Sequence, residues 1–162
     1  MKPVFLFLLA ATPGLVYSSR DSLHLFEHVS RLDLSKAKWL KGCWQGEFKD
    51  QPFYEAYQFP NDSTICIVSF HWDGKDTSGS SEAYLQWENG SYYLGDSLNW
   101  KVTSIDSFSI RMIPHHKSQN KILWTYVDSD TWVAVLSDPR KTVAYVMKRN
   151  PELELRFGMR KP

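Results

Sequence analysis

The sequence predicts an all-β fold: a single antiparallel up-and-down β-barrel with a short N-terminal helix. Three observations carry that expectation. Apolar and polar residues alternate with a period of two through most of the chain, as in Ala83, Leu85 and Trp87 against Glu82, Tyr84 and Gln86. Turn-forming clusters such as Asn89-Gly90 and Asp138-Pro139-Arg140 recur between these runs. Aromatic residues reach 15%, with 7 Trp, 8 Tyr and 9 Phe, and large rings pack well on pleated surfaces.

The chain begins with a targeting pattern rather than a core element. Lys2 supplies positive charge, Val4 to Ala11 form an apolar run, and Pro13-Gly14 break it before the small residues Ser18 and Ser19. That reads as a signal peptide over residues 1–19 and predicts export to a periplasm or the exterior. The run is too short for a membrane span, which needs about 20 residues, so no transmembrane segment is expected. Residues 20–34 read as a polar leader. Within and after it, Leu32, Leu34, Ala37 and Leu40 are spaced for one or two helical turns, with Ser35 as candidate N-cap and Gly42 as candidate stop.

From Gly42 the period becomes two. Trp44 and Phe48 alternate against Cys43, Gln45 and Glu47. Phe53, Tyr57 and Phe59 share one face of the next run. The third run has apolar residues on both faces, with Cys66, Val68, Phe70 and Trp72 opposing Ile65 and Ile67. Short runs continue through Tyr92–Leu94, Trp100–Thr103, Phe108–Met112, Ile122–Tyr126, Trp132–Leu136 and Val143–Met147. This gives about nine or ten strands, and a closed barrel over residues 35–150 hides the edges so many apolar strands would otherwise present. Residues 151–162 read as a C-terminal tail.

Charge is uninformative in a useful way. With 19 Lys and Arg against 18 Asp and Glu, the net charge is +1, which argues against a nucleic-acid partner. Cys43 and Cys66 are the only cysteines. Export would permit a disulfide. However, they fall on the first and third strands, roughly 9–10 Å apart in a meander, and a disulfide needs Cα atoms within about 7 Å. The other reading is two buried thiols acting as small hydrophobes. Asn61-Asp62-Ser63 and Asn89-Gly90-Ser91 are glycosylation sequons at predicted turns.

The segment Trp39-Leu40-Lys41-Gly42-Cys43-Trp44 resembles the opening of small calycin-type barrels, the lipocalin-like domains of bacterial exported proteins, and more distantly the nitrobindins. The resemblance implies a helix plugging one barrel end and a Gly-x-Trp, here Gly42-Cys43-Trp44, opening the first strand. It further implies a late basic residue covering the Trp; Arg149 is the candidate, within about 6 Å of the Trp44 ring. Pro114-x-His116 is similar to part of a longer motif in some such barrels, whose Asn, Asp, Phe and second Pro are absent here. Nitrobindin-like proteins bind haem through a histidine, so the resemblance also admits haem at His116.

No catalytic residue and no metal motif stands out. His115-His116 is the sharpest local feature, because imidazole binds metals and shuttles protons. Adjacent strand residues point to opposite faces, so both could serve one metal only from a loop, and a polar hairpin corner is the plainer reading. His71 reads as a satisfied or solvent-facing residue. Ser137, Asp138 and His116 lack a nucleophile elbow that would make them a hydrolase triad. The rings carry most weight. Trp72, Trp87, Trp124 and Tyr126, with His116, are the candidate ligand-binding residues, and an aromatic interior suits a small hydrophobic or amphipathic ligand. Two other readings stand beside that one: an interaction protein with a solidly packed barrel, and a haem-binding or enzymatic barrel using His116. The sequence names no cofactor, ligand or oligomeric state.

Overall fold

The computed structural model describes residues 29–158; the expected signal segment and most of the leader lie outside the described residues. Ten antiparallel strands make one closed barrel: β1 (Gly42–Phe48), β2 (Gln51–Asn61), β3 (Thr64–Trp72), β4 (Thr77–Glu88), β5 (Ser91–Leu94), β6 (Trp100–Ile105), β7 (Ser109–Pro114), β8 (Lys121–Asp128), β9 (Thr131–Ser137) and β10 (Thr142–Arg149). Each strand pairs with its neighbours in sequence, and β10 returns to β1 through Trp44↔Arg149 and Gln45↔Lys148. The architecture is the expected meander and is compatible with a calycin-like fold. Asn89 and Gly90, at φ 49° and 81°, form the tight turn expected between β4 and β5, joining the pair Glu88↔Ser91.

A 3₁₀ helix, Arg31–Leu40, precedes the barrel. In this helix residues three apart eclipse one another. Leu34, Ala37 and Leu40 therefore form one stripe, and all three are buried. The cap is Ser30 rather than Ser35: the Asp33 carboxylate accepts the Ser30 amide at 2.7 Å, while the Ser35 hydroxyl donates to the Leu32 carbonyl. Leu32 faces away from the stripe and is 78% exposed. Helix and barrel are tied by two hydrogen bonds, one buried and one partly so. The Trp44 indole N–H donates to the Leu40 carbonyl at 2.7 Å, and the Tyr92 hydroxyl donates to the Arg31 carbonyl at 2.6 Å. Residues 31–34, the last of the expected leader, form the start of this plug.

The plug closes the end that carries the β2–β3, β4–β5, β6–β7 and β8–β9 turns. Arg31 reaches Ser63, Lys38 reaches Asp62, and Trp39 packs its ring on Tyr126 and Trp132 at 5.8 and 6.2 Å. The opposite end has no such element among the described residues.

The expected tail holds a second helix, α1 (Pro151–Arg156). Asn150 caps it by accepting the Leu153 amide at 3.1 Å, and Pro151 occupies the first turn, where its missing N–H is harmless. Leu153 is fully buried on the outer face of the barrel, against Cys43, Tyr54, Ala56 and Phe70. Phe157 adds its ring to Phe70 at 5.0 Å. This outer layer is the reason β3 is apolar on both faces. Cys43 and Cys66 are free thiols, with β2 lying between their strands. Cys43 pairs with Ala56 and Cys66 with Gln58, so the two are also offset along the strands.

Arg149 and Gly42 join these parts. The Arg149 guanidinium lies 4.3 Å from the Trp44 ring centroid. It also binds the Ser129 and Lys41 carbonyls and forms an ion pair with Glu154 of α1. Gly42, at φ 139°, lies so close to Arg149 and Glu154 that any Cβ would collide with both.

Candidate functional site

Strand alternation decides what faces inward. On β2 the inward positions are Phe53, Glu55, Tyr57 and Phe59, two residues apart on one face. Near the plug the interior is solid. Trp132 packs edge-on against Trp44, Tyr57 and Trp124 at 6.2, 5.5 and 5.6 Å, giving an aromatic floor. Above that floor the barrel is hollow. A ten-stranded barrel is wider than one of about eight strands, which side chains alone can fill.

Two cavities open there. One, of about 390 Å³, is walled by residues including Phe53, Trp132, Ala134, Tyr145 and Met147. The other, of about 400 Å³, is walled by residues including Ile67, Ser69, Ala83, Asn99 and Trp100. Both share Glu55, Tyr57 and Trp124 as walls. The lining is mostly aromatic and aliphatic, with a few convergent polar groups, as in small-molecule sites.

Glu55 is the chemical centre of this space. The Tyr57 hydroxyl donates to its Oε2 at 2.7 Å, and the hydroxyl of Ser69, its partner across β2 and β3, donates to its Oε1 at 3.3 Å. Burial pushes the Glu55 carboxyl up from its usual range, and the two hydroxyl donors offset part of that rise. Burial, reinforced by the Glu55 charge, holds the Tyr57 phenol well above its usual value. Two further wall atoms lack a hydrogen-bond partner among the described residues: the Trp132 indole N–H and the Asn99 side-chain oxygen. Unpaired buried polar atoms are uncommon and cost free energy, so they mark places where a partner would be gained.

The sequence-predicted residues are distributed unevenly about this site. Trp124 stands at its centre. Tyr126 lies at the plugged end against Trp39, and Trp87 packs on Tyr92 at 5.0 Å, also near the plug. Neither lines either of these two cavities. Trp72, expected at a ligand site, is outside the barrel: its ring packs on Tyr54 at 5.5 Å in the layer beneath α1. A bulge between Ser69 and His71 precedes it, but the outward parity of Cys66, Val68 and Phe70 already sets its side. His116 is exposed in the β7–β8 loop, where its ring meets His115 at 4.8 Å, and His115 in turn meets Tyr93 at 5.0 Å. His71 is exposed, and the Asp138 carboxylate caps its own turn by accepting the Arg140 and Lys141 amides. Among the described residues no group of three or more His, Cys, Asp or Glu could hold a metal ion. No described helix is long and apolar enough to cross a membrane.

Glu55 itself went unread, although the signal was present. It shares the parity of Phe53, Tyr57 and Phe59, so a carboxylate on an otherwise aromatic face pointed inward from the start.

No protein-family model and no curated protein matches this chain.

Proposed function

We propose that this protein is an exported, lipocalin-like barrel that binds a small amphipathic ligand in the open half of its interior. The observation that carries the reading is the pair of cavities meeting at Glu55, Tyr57 and Trp124 above an aromatic floor. Their volumes lie in the range of small-molecule sites, roughly 300–1,000 Å³. Apolar walls supply burial for the body of a ligand. Glu55, the Asn99 oxygen and the Trp132 N–H supply polar contacts that orient it. Export rests on the N-terminal segment, and the lipocalin-like relation on Gly42-Cys43-Trp44, the plug and the Arg149–Trp44 contact.

The test is a fluorescence titration with N-phenyl-1-naphthylamine, an uncharged apolar fluorophore. Saturable binding is expected, with a large loss in Ala134→Trp, which fills one cavity from its wall. Circular dichroism would establish that the variant is folded. Absence of saturable binding to the wild-type protein would sink the reading.

A further inference from the structure

We propose that the ligand is an organic amine, bound as its ammonium ion, with the charged nitrogen against the Glu55 carboxylate and the apolar body against the aromatic wall that Tyr57 and Trp124 form beside it. This rests on the ligand-binding reading above and deepens it.

Glu55 is half-buried on the inner wall of the barrel. A carboxylate taken out of water is costly unless a cation or metal compensates it. The bonds that Glu55 makes are to the neutral hydroxyls of Tyr57 and Ser69. Neither Lys nor Arg lines either cavity. The charged side chains that do so are Glu55 and Asp96, both acidic. Asp96 sits exposed in the β5–β6 loop, at the mouth, where its charge draws cations inward.

Two hydroxyl donors leave acceptor capacity on both carboxylate oxygens. An ammonium group is a donor on every face, so it matches that capacity. The Asn99 oxygen is a second acceptor without a partner among the described residues, on the wall of the same space. Neutral or anionic ligands would leave the carboxylate uncompensated or repel it. The aromatic walls add to the same selectivity, because the face of a Trp or Tyr ring attracts a cation. Tyr57 and Trp124 pack edge-to-face at 5.8 Å, and both border the same two cavities as Glu55, so the rings and the carboxylate wall a shared space.

The experiment is displacement of bound N-phenyl-1-naphthylamine by three compounds sharing one apolar body: tryptamine, tryptophol and indole-3-propionate. Tryptamine is expected to compete at least about tenfold better than tryptophol, a ratio set by one charge-assisted hydrogen bond. Indole-3-propionate should be the weakest. In Glu55→Gln the advantage of tryptamine over tryptophol should fall to within about threefold. The inference is overturned if tryptamine and tryptophol compete equally, if the carboxylate competes best, or if the amine preference survives Glu55→Gln. In each of those cases the fluorophore still binds, so the cavity reading stands. Failure of the fluorophore to bind wild-type protein removes both.

Discussion

Arg149 lies over Trp44, its guanidinium carbon 4.3 Å from the ring centroid, and is at once ion-paired to Glu154. One guanidinium thus links the first strand, the last strand and α1. Both side chains of the pair are largely shielded from water, at 12% and 9% exposure. Arg149→Met leaves Glu154 uncompensated and is expected to cost about 3 kcal/mol of stability. Removing both charges in Arg149→Met/Glu154→Leu should recover most of that loss, because a well-packed apolar pair can replace a shielded ion pair. Urea denaturation of the two variants and the wild type checks both statements.

Glu55 gives a pH signature. Burial raises its carboxyl in the folded protein, so the folded state holds this proton to higher pH than the unfolded chain does. Its contribution is therefore most favourable below the ordinary carboxyl range and is lost as pH rises through the folded value. Glu55→Gln lacks that loss. The melting temperature of ligand-free Glu55→Gln, minus that of the wild type, should increase from about pH 4 to about pH 7. A difference that stays flat or declines with pH contradicts the assignment.

The thiols should report the outer layer. Cys43 is fully buried, and burial, with the nearby Glu154 charge, pushes its thiol up to about 12. Thiolate is the reactive form, so Cys43 should resist alkylation in the native protein, while the partly exposed Cys66 reacts first. Without reductant, denatured protein should take up two alkyl groups by mass spectrometry. Uptake of none would reveal a disulfide.

Leu153 is the anchor of α1. Leu153→Ala should cost about 3 kcal/mol, within the usual span for emptying a buried leucine site. The accompanying change is more diagnostic: a loosened α1 uncovers Cys43, so native-state alkylation of Cys43 should accelerate in the same variant.

The barrel was legible in the sequence wherever one strand face was polar. Ala83, Leu85 and Trp87 against Glu82 and Gln86 leave one register with apolar residues inside, and Asn89-Gly90 fixes the hairpin by its left-handed backbone. The rule failed at β3, because α1 covers the outside of Cys66, Val68, Phe70 and Trp72's strand and makes both faces apolar. Periodicity separates two faces; it does not say which is the interior. The same limit affected the candidate site. Tyr126 and Trp124 have the same parity on β8, and only the position of the plug puts one at the closed end and the other beside the cavities. Glu55 was hidden for the opposite reason, since a charged residue on a strand is ordinarily read as facing water.

The seam between β1 and β10 has a consequence for how the chain folds. It consists of two residue pairs, whereas β1 meets β2 through seven. Residues 44 and 149 are over a hundred positions apart, so this pairing carries the largest loop-closure entropy in the molecule, while the other ladders are local hairpins. The expected order is hairpins first and the seam last, with Arg149 and α1 locking it. Until then the nascent sheet has two unpaired edges, open to other chains. Pulse-labelled hydrogen exchange during refolding should find the β1 and β10 amides among the last to gain protection. A chain shortened before Thr142 should remain an open sheet and self-associate.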